Sequence, residues 1–409
     1  MKSRTPSYYF RKRLFSNPPA VFGIIVIILL IILSILGYWI MPDATPFANE
    51  RADEIAKQKP GFKVLMLKIR KNRDISDQNI FYQLLFGQES KYNIVPIEAY
   101  RIDRKNALVY VRVFGRGERE QPYPLADVVY QLYIGQSDRL PKHNLEGNFS
   151  IHSGDLIYLD YHEKIVTVSM NETIEKFEKN NLEKRYYILG TDKSGRDMLS
   201  RLLLGVRISL GIGLVSVTIA TILGLFLGSL AGYLGGGVDK LIVWFMTVVW
   251  SIPGIMLVIA ISLVLGKGVF VTFIAIGLTS WVDIARTVRG QVMAIKEKPF
   301  IEATKALGMR KGRIIFYHIL PNIIGPLLVV MTSNFASAIL TEAGLSFLGL
   351  SVQPPATSWG VMVSEGFPLM NTPNGFYLVL FPAFSIALTI LAFNLFGNGL
   401  RDAYDVRNK

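Results

Sequence analysis

Charges inside apolar stretches are the first places where this sequence could do chemistry. Asp283 and Arg286 sit near one end of an apolar stretch, and Glu342 closes another. A charged side chain in hydrocarbon costs about 2.5–3.5 kcal/mol on insertion scales, so all three are candidate intramembrane functional residues; the alternative is a side chain that snorkels to water. No ionisable residue falls mid-stretch, which disfavours a proton- or ion-coupled secondary transporter, because its relays sit there. The chain has no Cys, so thiol nucleophiles, thiolate metal sites and disulfides are excluded. His143, His152 and His162 are scattered without metal-ligand spacing. No G-x-x-x-x-G-K-[ST] or G-x-G-x-x-G segment occurs, and Gly266-Lys267 lacks the earlier glycine. No Ser/His/Asp set can be assembled, which disfavours a hydrolase. We read a chain that is not an enzyme and binds no metal, cofactor or ATP of its own.

A second concentration of chemistry lies at 289–322. Arg289, Lys296, Lys298, Lys305, Arg310, Lys311 and Arg313 make the segment basic. Pro299 suits a helix start, and Glu302 falls in the first turn, where the helix dipole favours a carboxylate. Gly308 can end that helix in the left-handed conformation, a second short helix follows, and Pro321 opens the next apolar stretch. The spacing predicts a compact helix–turn–helix suited to docking a protein.

The elements that must hold these residues follow from hydropathy. Of 409 residues, 51% are hydrophobic and 18% charged, and the mean hydropathy is +0.35. Stretches of about 20 apolar residues cross a bilayer, so the fold class is an α-helical polytopic membrane protein. Six transmembrane helices are expected at 19–41, 207–233, 241–265, 269–288, 322–346 and 376–397. Residues 1–18 form a basic N-terminus carrying Lys2, Arg4, Arg11, Lys12 and Arg13. Met41-Pro42-Asp43-Ala44 is not a small-x-small cleavage site, so 19–41 is read as an uncleaved first helix. With a cytoplasmic N-terminus, six spans place the basic loop 289–320 and the C-terminal Arg401, Arg407 and Lys409 inside. They place 347–375, which has no Lys or Arg, outside. Omitting the fourth helix would invert this pattern. The net charge of +13 thus reads as a topology signal beside membrane lipid, and no nucleic acid is expected as a partner.

Residues 42–187 read as an inserted β-rich extracytoplasmic domain, since long loops cross regardless of charge. Strands are predicted at 62–69, 107–114, 155–161 and 164–170, the last two joined by a turn at His162-Glu163, with a helix over 171–184. Residues 188–409 form a five-helix core with a cytoplasmic loop at 289–320. Within it, Gly224, Gly228 and Gly232 line one helix face and predict close packing inside the bundle. Pro253 and Gly254 predict a kink in the third helix.

Several motifs resemble a known family. Glu302-Ala303-Thr304, three residues, Gly308, nine residues and His318-Ile319-Leu320-Pro321 resemble the EAA motif of binding-protein-dependent ABC importer permeases. Thr304 and His318 stand where Ala and Ile are usual. Leu189-Gly190-Thr191-Asp192, Gly195-Arg196-Asp197, Leu199-Ser200-Arg201, Gly205-x-Arg207-x-Ser209-Leu210, Leu345 to Leu350 and Gly399 to Asp405 resemble the dipeptide/oligopeptide/nickel branch, in its C-type permease subunit. The resemblance covers 188–409 closely and 1–41 loosely, and does not extend to 42–187. It implies a type I-like ABC importer permease core in a bacterial cytoplasmic (inner) membrane. It also implies a second homologous permease, two ATPase subunits carrying ATP-Mg, and an extracytoplasmic substrate-binding protein. Glu302, Ala303, Gly308, Leu320 and Pro321 would couple to the ATPases. The competing reading is a membrane-anchored extracytoplasmic domain with a scaffolding or signalling role, for which loop 289–320 would tolerate change and 42–187 would not.

Overall fold

The structure is a computed structural model, and it describes residues 6–133, 149–152 and 154–404. Lys2, Arg4, His143, Asp405, Arg407 and Lys409 lie outside the described residues. Along the chain, α1 (Pro6–Phe15) and α2 (Pro18–Ile40) precede a β-rich stretch. That stretch runs β1 (Phe62–Arg70), α3 (Ile80–Phe86), β2 (Tyr92–Asp103), β3 (Leu108–Val113), β4 (Glu120–Pro124), α4 (Leu125–Val129), β5 (Phe149–His152), β6 (Asp155–Leu159), β7 (Ile165–Ser169), α5 (Met170–Lys176) and β8 (Leu182–Tyr187). The remainder is helical: α6 (Met198–Leu234), α7 (Gly236–Ser251), α8 (Gly254–Leu265), α9 (Val269–Lys296), α10 (Pro299–Ala306), α11 (Lys311–Ile314), α12 (Leu320–Phe347), α13 (Trp359–Gly366) and α14 (Phe376–Tyr404). Two compact units result. Met1–Ile35, Leu202–Phe367 and Val379–Lys409 form the helical unit; Leu36–Arg201 and Pro368–Leu378 form the other.

In the second unit an antiparallel five-stranded sheet has the order β4-β3-β2-β1-β8, and a three-stranded sheet has the order β5-β6-β7. The predicted strands reappear as β1, β3, β6 and β7, and β6 and β7 pair antiparallel across the His162-Glu163 turn. Leu67, Ile97, Val109 and Val111 of the larger sheet pack with Leu125, Leu156 and Phe177 into one core. The helix expected over 171–184 is corrected: α5 stops at Lys176, a wide turn covers Phe177–Asn181, and β8 follows. Pairing of Leu182–Tyr187 with Phe62–Leu67 overrides the helical charge spacing. Asn181 fixes the changeover by donating through Nδ2 to the Lys68 and Val128 carbonyls, both at 2.7 Å.

Among the described residues, five helices are long and apolar enough to cross a membrane: α2, α6, α9, the continuous run Lys311–Phe347, and α14. The span expected at 241–265 is broken. α7 and α8 meet at an 88° bend, and together they would make a sixth. Pro253 has no N–H to continue the ladder and forces Ile252 into extended backbone (φ −93°, ψ 129°). Other boundaries move outward, because charged residues that end an apolar pattern do not end a helix. α6 begins at Met198 rather than 207, and α9 continues to Lys296. The glycine face of α6 packs on α9. A Cβ at Gly224, Gly228 or Gly232 would stand 2.6 Å from Ile284 Cγ2, 2.5 Å from Ala285 O or 2.8 Å from Arg289 O.

Candidate functional site

The 289–322 segment folds as a short helix on a two-helix base. α9 ends at Lys296, and Lys298 N–H donates to Ile295 O at 3.0 Å, which turns the chain. Pro299 takes the first position of α10, where no N–H is needed, and Glu302 lies exposed in the first turn. The inner face of α10 carries Ile301, wholly buried, and Thr304, whose Oγ1 donates to Ile301 O at 2.7 Å. Ile301 packs with Val292 and Ile295 of α9 and with Ile314, Ile319 and Ile323 at the base of α12. Thr304 in place of the family's Ala is therefore an inward residue with its hydroxyl satisfied. The outer face carries Phe300, Glu302, Ala303 and Leu307, the last 76% exposed.

Gly308 ends α10 at φ +72°. Met309 N–H donates to Thr304 O at 3.2 Å and Gly308 N–H to Lys305 O at 2.9 Å, a glycine C-cap that turns the chain without side-chain help. Pro321 takes the second position of α12, as expected, but the helix does not start afresh there. The helical path runs unbroken from Lys311 to Phe347. The π-helical turn Ile315–Ile319 precedes Leu320 and Pro321 and absorbs the missing donor. Asn322 Nδ2 donates to His318 O at 2.7 Å, satisfying a carbonyl beside the proline. Glu302, Ala303 and Gly308 thus share one short helix and its cap, and Leu320 and Pro321 belong to its base.

The three intramembrane candidates are not gathered into one site. Asp283 and Arg286 lie one turn apart on an exposed face of α9, and the Arg286 guanidinium sits 4.0 Å from the centre of the Trp250 ring on α7. Glu342 is buried near the end of α12. Its Oε1 accepts from Ser346 and Ser358 Oγ at 2.6 Å each and from Ser351 Oγ at 3.3 Å. Ser358 also caps α13 by accepting from Val361 N–H at 3.2 Å, so the carboxylate ties α12 to the start of α13. Arg289, counted from sequence as a topology charge, makes a bidentate pair with Asp239 (2.6 and 2.7 Å) that fastens α7 to α9 just before the α10 turn.

The pattern of the family described as "Binding-protein-dependent transport system inner membrane component" matches residues 224–409. That of the "N-terminal TM domain of oligopeptide transport permease C" matches 5–60. The oligopeptide transport system permease protein OppC of Bacillus subtilis is 41% identical over 53% of this chain and 70% of its own length. The OppC of Escherichia coli K12 is 41% identical over 56% of this chain and 75% of its own. The dipeptide transport system permease protein DppC of Alkalihalophilus pseudofirmus is 44% identical over 54% and 72%. The chain belongs to the family of binding-protein-dependent ABC transporter permeases. It is a transport component rather than an enzyme, and residues 61–223 lie outside both family patterns.

This permease holds one polar cluster that the sequence named as a signature without showing its purpose. Asp192 Oδ2 accepts from Arg196 Nε at 2.6 Å and from Arg201 Nη1 at 2.5 Å, and all three side chains are at most 5% exposed. Gly195 (φ +70°) closes the same turn, and a Cβ there would stand 1.8 Å from Ala52 O. Beside it, Asp197 accepts from Ser200 N–H and Oγ at 2.7 and 2.5 Å, and burial pushes its carboxyl above the ordinary carboxylate range. The signature is the lock of a buried turn. Two Arg within nine residues of an Asp, before an apolar stretch, were the available signal.

Proposed function

We propose that the chain is the C-type permease subunit of an ATP-driven importer for peptides, with a type I-like core of six transmembrane helices in which α7 and α8 count as one bent span. Residues 42–187 form the extracytoplasmic β-rich domain, and both termini and loop 289–320 lie in the cytoplasm of a bacterium, as the Lys and Arg distribution favours. A second homologous permease completes the pore, two ATPase subunits bind ATP-Mg, and a substrate-binding protein delivers the cargo. Peptide as cargo is supported by the relatives named oligopeptide and dipeptide transport permeases.

The observation that carries this reading is the presentation of α10: its inner face is anchored in the α9–α12 base while Phe300, Glu302, Ala303 and Leu307 face outward. In this reading α10 is the coupling helix, seated in a groove on an ATPase. Nucleotide-driven closure of the ATPases pushes it as a lever, and its rigid link to α9 and α12 passes the movement to the spans. Nucleotide shifts the pore between outward- and inward-facing states by binding one state better than the other. The test is Gly308→Val, which places a β-branched residue at φ +72°. It is expected to abolish peptide uptake and co-purification of the ATPase while the chain still reaches the membrane at wild-type level. Uptake at the wild-type rate overturns the assignment.

A further inference from the structure

α3 is the least explained element of the sheet unit. Its sequence is Ile80-Phe81-Tyr82-Gln83-Leu84-Leu85-Phe86, apolar at every position but one, and none of its residues is buried. Phe81 is 75% exposed, Ile80 63% and Phe86 56%. A helix that is apolar all round normally belongs in a core or in lipid. This unit has a core, and α3 does not join it. At seven residues the helix is about 10 Å long, far short of the ~30 Å that a span requires.

The helix is nevertheless held in place, by polar atoms at its root. Asn79 caps it, accepting from Phe81 N–H at 3.4 Å. Gln83 Nε2 donates to Gln78 O at 2.8 Å, and Gln78 N–H donates to Gln88 Oε1 at 3.1 Å, closing the loop across its base. That root is tied to the chain leaving α2. Gln88 N–H donates to Ala44 O at 3.0 Å. Gly87 packs so closely on Tyr38 that a Cβ would stand 2.7 Å from its Cε1. Tyr38 Oη in turn accepts from Phe47 N–H at 3.2 Å. Trp39 and Ile40, the last residues of α2, are 63% and 52% exposed. The C-terminal end of α3 is therefore fixed against the last turn of an apolar helix long enough to cross a bilayer, where Tyr and Trp mark the water boundary.

The geometry points to α3 as a membrane-interface anchor: a short aromatic hook that lies in the headgroup–acyl boundary of the leaflet where α2 ends, with lipid as its partner. It joins Phe81, Tyr82 and Phe86 to the aromatic belt begun by Trp39, and its polar root keeps contact with the sheet unit in water. The inference rests on α2 being a membrane span.

Because the chain has no Cys, single cysteines give unique labels. Phe81→Cys, Ile31→Cys and Tyr186→Cys are labelled with an environment-sensitive fluorophore in the full-length chain, reconstituted in phosphatidylcholine–phosphatidylglycerol nanodiscs. Lipids spin-labelled near the headgroup or deep in the acyl chain serve as quenchers. The label at 81 is expected to emit to the blue and to lose emission to the shallow quencher. The label at 31, in the middle of α2, is expected to respond to the deep one, and the label at 186, on β8, to neither. A label at 81 that behaves like the label at 186, with 31 still quenched, overturns the anchor and leaves the span standing. A label at 81 shielded only on adding a substrate-binding protein, without lipid quenching, also overturns it and assigns the patch to a protein. A label at 31 that no lipid quenches overturns the span and the anchor together.

Discussion

Asp192 and Glu342 are two of the carboxyl groups buried among the described residues, one in each unit, and they are neutralised in opposite ways. Asp192 in the sheet unit accepts from two arginines, as charge meeting charge. Glu342 in the helical unit meets three serine hydroxyls. The ion cluster closes a tight turn in which each partner keeps a formal charge that is left buried without its counter-charge if the others leave. The serine cluster staples the end of α12 to the cap of α13 with neutral donors, each of which loses one hydrogen bond if the acid goes. Residues of one chemical type therefore serve as a charge lock in one unit and as an acceptor hub in the other. What surrounds them decides how much each can lose.

Substitution can break this comparison. The largest effect is expected from Asp192→Ala, which leaves Arg196 and Arg201 buried without their shared acceptor and should cost ~3–5 kcal/mol of stability. Thermal unfolding in detergent would show it as a markedly lower midpoint, and a midpoint near wild type would mean that the arginines find other partners. Glu342→Ala should cost ~1–3 kcal/mol, because hydroxyls lose a bond but no charge is stranded. Glu342→Gln keeps a carbonyl acceptor and should fall closer to wild type. If the Gln variant is as damaged as the Ala variant, the hub needs a charge and the contrast fails.

The smallest effect concerns Asp197, next to the lock but not part of it. Burial raises its folded pKa despite two bonds from Ser200. The group therefore favours folding while protonated, and that contribution is lost as pH rises through its raised folded pKa. Asp197→Asn should change stability little at low pH and flatten the decline as pH rises above the ordinary carboxylate range. A variant whose pH profile overlays the wild type would place the titration elsewhere.

Much of the helical unit was legible in the sequence because apolar length, glycine spacing and a glycine C-cap act locally. Gly308 takes the conformation its type allows, and Gly224, Gly228 and Gly232 meet α9. The third span was legible only as a kink, because a sequence shows that Pro253 interrupts a ladder but not how far the two halves then diverge. The sheet unit was half legible. β1 and β3 alternate or are β-branched, whereas β4 carries Pro122 and Pro124, tolerated because it is an edge strand. β8 carries helical charge spacing that pairing with β1 overrules. At the candidate site, the bounds of α10 followed from Pro299 and Gly308, whereas the burial of Ile301 and Thr304 came only with the fold. The bond between Asp239 and Arg289 spans 50 positions, and no local pattern announces it.

The π turn at Ile315–Ile319 has a geometric consequence. An α-helix advances about 100° per residue, and a π turn holds one residue more than an α turn, so the two ends of the Lys311–Phe347 helix are out of phase by roughly that angle. Deleting one residue there would bring the two ends into a single α-helical register. The segment that seats α10 thus joins α12 through one extra peptide unit.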